Sequence, residues 1–309
     1  MKFDFIISKP FKRANFTYPI LSDNFGEELL VFADMLKDYS RGILGNVFIS
    51  DIPPKPKKLH KLDYNKKYSC DTLIMITGNL EADNINEDAI LYNIKAKRRI
   101  LFVTDHYMLK KYYKPDKYTT VFINSIPLFK NAKSLNTTFL RYKFYKQYKE
   151  TGNHFLTNKK GVFLGGDKNR ENKFKEYVIR PDIDFYGYSR LLGVENKIDL
   201  HETVSRLSSY TYSPIFHSKY FCDIKLTTVR LLECAIFGLV PIIDKDYKHF
   251  DDSQKIYNEF IVKDYMDAYN RIIKNVTNIK NHIDIYHKLY MEYEENVFKY
   301  NFDKYIINV

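Results

Sequence analysis

An α/β fold built from two doubly wound sheets is the class this sequence predicts, and three observations lead there. The chain has 309 residues and a mass of 36.9 kDa, more than one core usually organises, so two domains of about 150 residues are expected. Short apolar runs that suit strands buried on both faces alternate with helix-period segments. The alternation restarts after a polar stretch near residue 150. With 45% hydrophobic and 28% charged residues, the chain is expected to fold rather than remain disordered.

In the first half, Lys2–Ser8 is an apolar run and the first expected strand. Phe25–Tyr39 places Leu29, Leu30, Phe32, Ala33 and Leu36 at the spacing of one helical face. Gly42 and Gly45 punctuate, and Asn46–Ser50 resumes as a strand. Pro53-Pro54-Lys55-Pro56-Lys57-Lys58 fits neither a helix nor a central strand, because proline lacks the N–H that both require. Thr72–Thr77 is a fully apolar strand, Glu87–Lys95 a helix, and Arg99–Thr104 a buried strand that ends at Asp105. Thr119–Asn124 adds one more.

In the second half, the strand Gly161–Leu164 runs into Gly165-Gly166. A helix over Asn172–Val178, a strand opening at Asp184–Tyr186 and a helix over Glu202–Ser208 follow. Thr227–Phe237 is an amphipathic helix that stops at Gly238, a residue suited to the left-handed C′ position, and Leu239–Ile243 is the apolar strand behind it. Glu259–Val262 is a short strand and Lys263–Lys274 a helix. The long aromatic-rich helix His282–Tyr300 closes the chain. No internal repeat is visible. The domains are placed at 1–150 and 151–309, with Tyr148–Lys160 as the linker, and ligands are expected in a cleft between two sheets of this kind.

Several function classes are disfavoured. No apolar run approaches the roughly 18–20 residues of a membrane span. The N-terminal MKFDFIISKPFKR has no apolar region followed by a small-residue cleavage site, so secretion is not expected. Three cysteines without a CxxC argue against a disulfide framework or a zinc ribbon, and a reducing cytoplasm is the expected compartment. Charge says more. The net +11 divides into 26 basic and 16 acidic residues up to position 150, and 23 and 22 after it. A coding bias toward lysine would load both halves alike, so the asymmetry points to a polyanion, nucleic acid above all, as the partner of the first half.

Three segments can carry chemistry. Arg230 and Glu233 stand one turn apart on an otherwise apolar helix. They make either a plain ion pair or a nucleotide contact, with the arginine forked onto a diphosphate and the glutamate accepting from ribose hydroxyls. Gly165-Gly166, between a strand and a helix, lets backbone approach a phosphate, with Lys168 and Arg170 alongside, although such turns also occur without function. It is neither a P-loop nor GxGxxG. Asp105, at the end of a buried strand, suits a general base or a turn residue, and His106 is its neighbour.

In this order the segments resemble the DNA β-glucosyltransferases of T-even bacteriophages, a family of GT-B glycosyltransferases in which two Rossmann-like domains face a central cleft. The resemblance rests on Thr228-Val229-Arg230-Leu231-Leu232-Glu233 with the following Val240–Asp244, on Leu164–Gly166 with Arg170-Glu171, and on Phe102-Val103-Thr104-Asp105. It implies that Arg170 and Arg230 hold the donor diphosphate, that Glu233 holds its ribose, and that Asp105 is the base. The turn after Gly166 is shorter than the family's and keeps one arginine, with Lys168 as a substitute. Tyr220 is the candidate on the uracil side. Retaining GT-B enzymes carry a glutamate eight positions before the one at Glu233; here that position is Lys225, which suits inversion.

The function the resemblance implies is transfer of glucose from UDP-glucose to the hydroxymethyl group of a modified pyrimidine in phage DNA, with a divalent cation (Mg or Mn) beside the leaving diphosphate. No metal-ligand set is legible in the sequence. The expected setting is the host cytoplasm, with a monomeric enzyme flipping the base out of double-stranded DNA. DNA contacts are expected from Lys55, Lys57, Lys58, Lys66 and Lys67, and from Lys110, Lys111, Lys114 and Lys117 interleaved with Tyr107, Tyr112 and Tyr113. The alternatives are a GT-B enzyme acting on a surface polysaccharide or a protein, and a non-catalytic DNA-binding protein of the same fold.

Overall fold

The computed structural model describes residues 2–7, 43–49, 60–61, 63, 65–77, 87–103, 114–141, 161–196 and 207–308. Packing divides them into two units, one holding those up to 141 together with 297–308, the other holding 161–296.

The first unit is a seven-stranded sheet of β1 (Lys2–Ile7), β2 (Ile43–Ile49), β3 (His60–Lys61), β4 (Tyr68–Thr77), β5 (Ile94–Val103), β6 (Thr120–Ile123) and β7 (Ala132–Ser134). Its spatial order is β3-β2-β1-β4-β5-β6-β7 and every pairing is parallel. The chain winds outward from β1 to β3, returns to the other side of β1, and winds out again. β1 and β4 therefore flank a switch point. β4 and β5 are longer than their apolar stretches suggested. After the buried Ile94, β5 runs through exposed and half-buried positions up to Arg99, and its last four residues are all buried. Hydrophobicity alone therefore marks only the inner half of the strand. Helix α1 (Glu87–Asn93) stops at once where β5 begins. One face of the sheet buries Leu73, Met75, Leu101, Val103, Val121 and Ile123 against Ile90 and Leu91 of α1.

The second unit contains β8 (Gly161–Leu164), α2 (Glu171–Tyr177), β9 (Ile183–Ser189), β10 (Val194–Asn196), β11 (Tyr212–Ile215), α3 (Lys219–Asp223), α4 (Arg230–Phe237), β12 (Val240–Asp244), β13 (Ile261–Val262), α5 (Tyr265–Arg271), α6 (Val276–Lys280) and α7 (Ile283–Phe302). Its sheet runs β10-β9-β8-β11-β12-β13, parallel except for the β9–β10 hairpin. The winding again reverses, here between β8 and β11. Both sheets thus have the 3-2-1-4-5-6 order of a Rossmann-like fold, and the expected α/β class with two doubly wound sheets is what the chain has.

Two differences from expectation have clear causes. β11, with the sequence YSPI, is not among the expected strands, and it carries Pro214, a residue that disfavours a central strand. The strand tolerates it because its pairing with β8 registers only at Tyr212 and Gly161, while all four residues pair with β12. The helix expected from Thr227 begins at Arg230, after a β-branched Thr-Thr-Val run that favours extended or capping conformations. Gly238 does end it in the left-handed conformation.

Along α7, Ile283, His287, Tyr290, Glu294, Phe298 and Phe302 form a buried stripe at three- and four-residue spacing. From Val297 onward it belongs to the first unit. There Phe298 stacks on Phe102 at 6.3 Å and lies 5.7 Å from Phe139, and Arg98 donates to the Ile306 carbonyl at 2.7 Å. The chain terminus thereby covers the sheet face opposite α1. No described helix is long and apolar enough to cross a membrane.

Candidate functional site

The switch point of the second sheet gathers most of the donor-binding residues expected above. β8 is buried throughout and runs into Gly165, whose φ of +132° a side chain would strain. A Cβ on Gly165 would stand 2.7 Å from Nη2 of Arg230 and 3.0 Å from Nη2 of Arg170. Two guanidinium groups from separate segments therefore converge on one point of a phosphate-sized turn. Gly187 in β9 is the hidden requirement. A Cβ there would overlap the Gly165 carbonyl at 1.7 Å, and the close approach lets Gly165 N–H bond the Tyr186 carbonyl at 2.9 Å.

Each guanidinium is held in place. Arg170 Nε donates to the Gly166 carbonyl at 2.6 Å and Nη1 to the Phe216 carbonyl at 3.3 Å. Arg230, the first residue of α4, donates through Nη1 to Glu233 Oε2 at 3.1 Å, and both residues are buried. The Phe163 ring lies 5.2 Å from the Arg170 guanidinium and 5.5 Å from that of Arg230, and Phe216 stacks on Phe163 at 5.0 Å. An aromatic face attracts cations and so orients both groups. Like charges brought this close, with Glu233 as their neighbouring carboxylate, favour an anion between them.

The acids around the turn have structural roles. Asp167 accepts from Ser189 Oγ and from Leu191 N–H, both at 2.8 Å, tying the β9–β10 hairpin to the turn. Burial pushes its pKa up, but the hydrogen bonds from Leu191, Ser189 and Arg190 outweigh this and hold the carboxyl below its usual range. Asp244 accepts from Lys173 Nζ at 2.6 Å and Tyr177 hydroxyl at 2.9 Å, which fastens β12 to α2. His217, the second residue after β11, is buried beside Tyr247 at 4.8 Å. Burial first, then Arg170 and Arg230, keep it neutral, well below the ordinary imidazole value.

Of the expected donor residues, Gly165, Gly166, Arg170, Arg230 and Glu233 share this locus. Lys168 is exposed on the turn. Tyr220 is exposed on α3, and its ring lies 5.8 Å from Phe221, which itself packs edge-on to His217 at 5.9 Å. Sequence reasoning missed Phe163, Gly187, Phe216 and His217. The last two follow the strand that carries Pro214.

Among the described residues, the carboxylates beside the turn are engaged as described: Glu233 with Arg230, Asp167 Oδ2 with Ser189 and Leu191, and Asp244 with Lys173 and Tyr177. Elsewhere in this unit, donor atoms of His249, Asp251 and Glu294 lie within 4.8 Å of one another. His249, however, uses Nδ1 on Ser253 Oγ at 2.7 Å and Nε2 on the Tyr247 hydroxyl at 3.1 Å, so both imidazole nitrogens already serve a hydrogen-bonded core. These residues do not fit the expected cation.

In the first unit, Asp105, His106, Lys55, Lys57, Lys58, Lys110 and Lys111 lie outside the described residues, as do the expected helix Phe25–Tyr39 and the linker. The described lysines are engaged within the chain. Lys66 pairs with Asp63 at 3.8 Å, and Lys67 donates to Asn93 Oδ1 at 3.2 Å over the Tyr92 ring. Lys114 pairs with Asp88 at 3.4 Å, and Lys117 with Asp88 and Glu87. Buried Glu87 also accepts from Tyr118 hydroxyl at 2.7 Å.

No family model and no curated protein matches the sequence. Among solved structures, an α1,3-fucosyltransferase is similar with a TM-score of 0.46 at 9% identity, over 95% of this chain and 81% of that one. An α1,3-fucosyltransferase with GDP is similar with a TM-score of 0.44 at 11% identity, over 95% and 81%.

Proposed function

We propose that the chain is an inverting glycosyltransferase of the GT-B type that moves glucose from UDP-glucose to a hydroxymethyl group on a modified pyrimidine in phage DNA. The observation that carries the proposal is the convergence of Arg170 and Arg230 on Gly165 at a switch point. That is where open α/β sheets bind nucleotides, and paired guanidiniums suit a diphosphate. Glu233, fixed by Arg230, is the acceptor for ribose hydroxyls.

In the proposed reaction Asp105 takes the proton of the hydroxymethyl oxygen as that oxygen attacks the anomeric carbon, and the sugar–phosphate bond breaks on the opposite side. Arg170 and Arg230 stabilise the negative charge that builds on UDP. Base flipping costs a few kcal/mol, which contacts to the DNA backbone offset. One observation favours an acceptor other than DNA: Lys66, Lys67, Lys114 and Lys117 spend their charge inside the chain.

The test is a panel of UDP-sugars incubated with hydroxymethylated DNA, with plain DNA, and with polysaccharide or protein acceptors. Mass spectrometry of the released nucleosides should show a hexosyl adduct on hydroxymethylpyrimidine alone. Transfer to another acceptor reassigns the substrate. UDP-sugars left intact in every mixture would remove the enzymatic reading.

A further inference from the structure

The corner after β11 holds a group that the donor-site reading leaves unused. The His217 ring is buried between Tyr247 and Phe221, and its Nε2 is buried without a hydrogen-bond partner. A polar atom left so is costly and marks a place where another state of the protein has a use for it. The neighbouring Phe216 carbonyl is bonded by Arg170, so the imidazole and the anion turn belong to one rigid corner.

The charged and titratable groups that act on the ring come from three of the segments around it. Arg170 precedes α2, Arg230 opens α4, and Tyr247 and His249 follow β12. The two arginines are permanent charges. Tyr247 is held in its neutral form by burial. His249 is occupied by Ser253 and Tyr247. Burial is the first cause that keeps His217 neutral, and repulsion by the same two guanidiniums that the donor would occupy is the next.

We propose that His217 is a third binding residue for the donor: when a nucleoside diphosphate sugar settles on Arg170 and Arg230, one proton from solution adds to the imidazole, and the imidazolium shares the diphosphate charge. The inference rests on the donor-site reading. A diphosphate diester carries two negative charges, which offset the two guanidiniums and remove their repulsion of a third cation. The proton balance is simple: the ring nitrogen that lacks a hydrogen gains one, and a buffer molecule loses one. As the sugar departs and UDP becomes more negative, the imidazolium stabilises it, and the proton returns to solution when UDP leaves. Because the group's affinity for protons is raised in the complex, the added binding is present at low pH and is lost as pH rises through the complex value.

Calorimetric titration of the full chain with UDP-glucose at pH 7, in buffers of different ionisation heat, reads this directly. UDP-glucose has no phosphate proton of its own to exchange near neutrality. The observed heat should vary with buffer ionisation heat at a slope of about one proton taken up. His217→Gln should bring the slope close to zero and weaken binding about tenfold. Imidazole ¹⁵N spectra of the unaltered protein should show one ring becoming an imidazolium when UDP-glucose is added, whatever the variant's stability. Binding with a slope of zero, or a slope unchanged in His217→Gln, overturns the proposal. Failure of UDP-glucose to bind at all overturns the donor-site reading beneath it as well.

Discussion

The two sheets are wound in the same order, yet the charge at their described edges is arranged in opposite ways. Around Gly165, Arg170 and Arg230 are concentrated on one point, with Glu233 beside them. Around β5 and β6, Glu87 and Asp88 draw in Lys114 and Lys117 and cancel them. The net charge of the two halves, +10 and +1 by the residue counts, suggests the reverse emphasis. A bulk excess says where a polyanion is attracted at long range, and a pocket's chemistry is decided by a few charges that the fold brings together.

The largest expected effect would separate the two halves outright. Asp105→Ala should lower turnover about 10²- to 10⁴-fold while UDP-glucose affinity stays near its original value. Full turnover in that variant would move the base elsewhere, with His106 next in line. Gly165→Ala is the mirror experiment. A Cβ pressed against both guanidiniums in a backbone conformation that disfavours side chains should cut donor affinity by at least about tenfold, with acceptor binding intact. An unaltered dissociation constant would show that the anion does not sit on the turn.

Glu233→Ala should weaken donor binding about tenfold and, by leaving a buried guanidinium without that carboxylate, destabilise the unit by about 3–5 kcal/mol in thermal or denaturant melts. A loss of stability with donor affinity unchanged would make the pair purely structural. Asp167 predicts a pH effect. Its carboxyl titrates below its unfolded value, so its contribution is complete above that value, about 3.9, and disappears as pH falls through the lower folded one. Asp167→Asn should flatten the acid limb of the stability profile. The smallest effect is expected from Lys66→Ala and Lys114→Ala, within about 0.5 kcal/mol of stability because both pairs are exposed. If these lysines do reach DNA phosphates, each substitution should also lower the salt slope of binding by about 0.9.

Local pattern settled a good deal of this molecule. The alternation of apolar runs and helix-period segments established two doubly wound sheets, because a strand buried on both faces must be apolar and a helix packed on a sheet must show one apolar stripe. Gly238 announced the end of α4, since the left-handed C′ position favours glycine. Arg170, Arg230, Glu233 and the Gly165-Gly166 turn were legible as candidates because charge on an apolar helix and paired glycines after a strand are locally anomalous. Packing decided what remained. That β11 is a strand despite Pro214 depends on how few partners its β8 side requires. That Gly187 makes room for Gly165, that Phe163 orients two arginines from distant segments, and that His217 stands neutral beside them are relations across the sheet between residues far apart in sequence. No linear pattern records them, because their cause is the distance and the desolvation that only the folded sheet imposes.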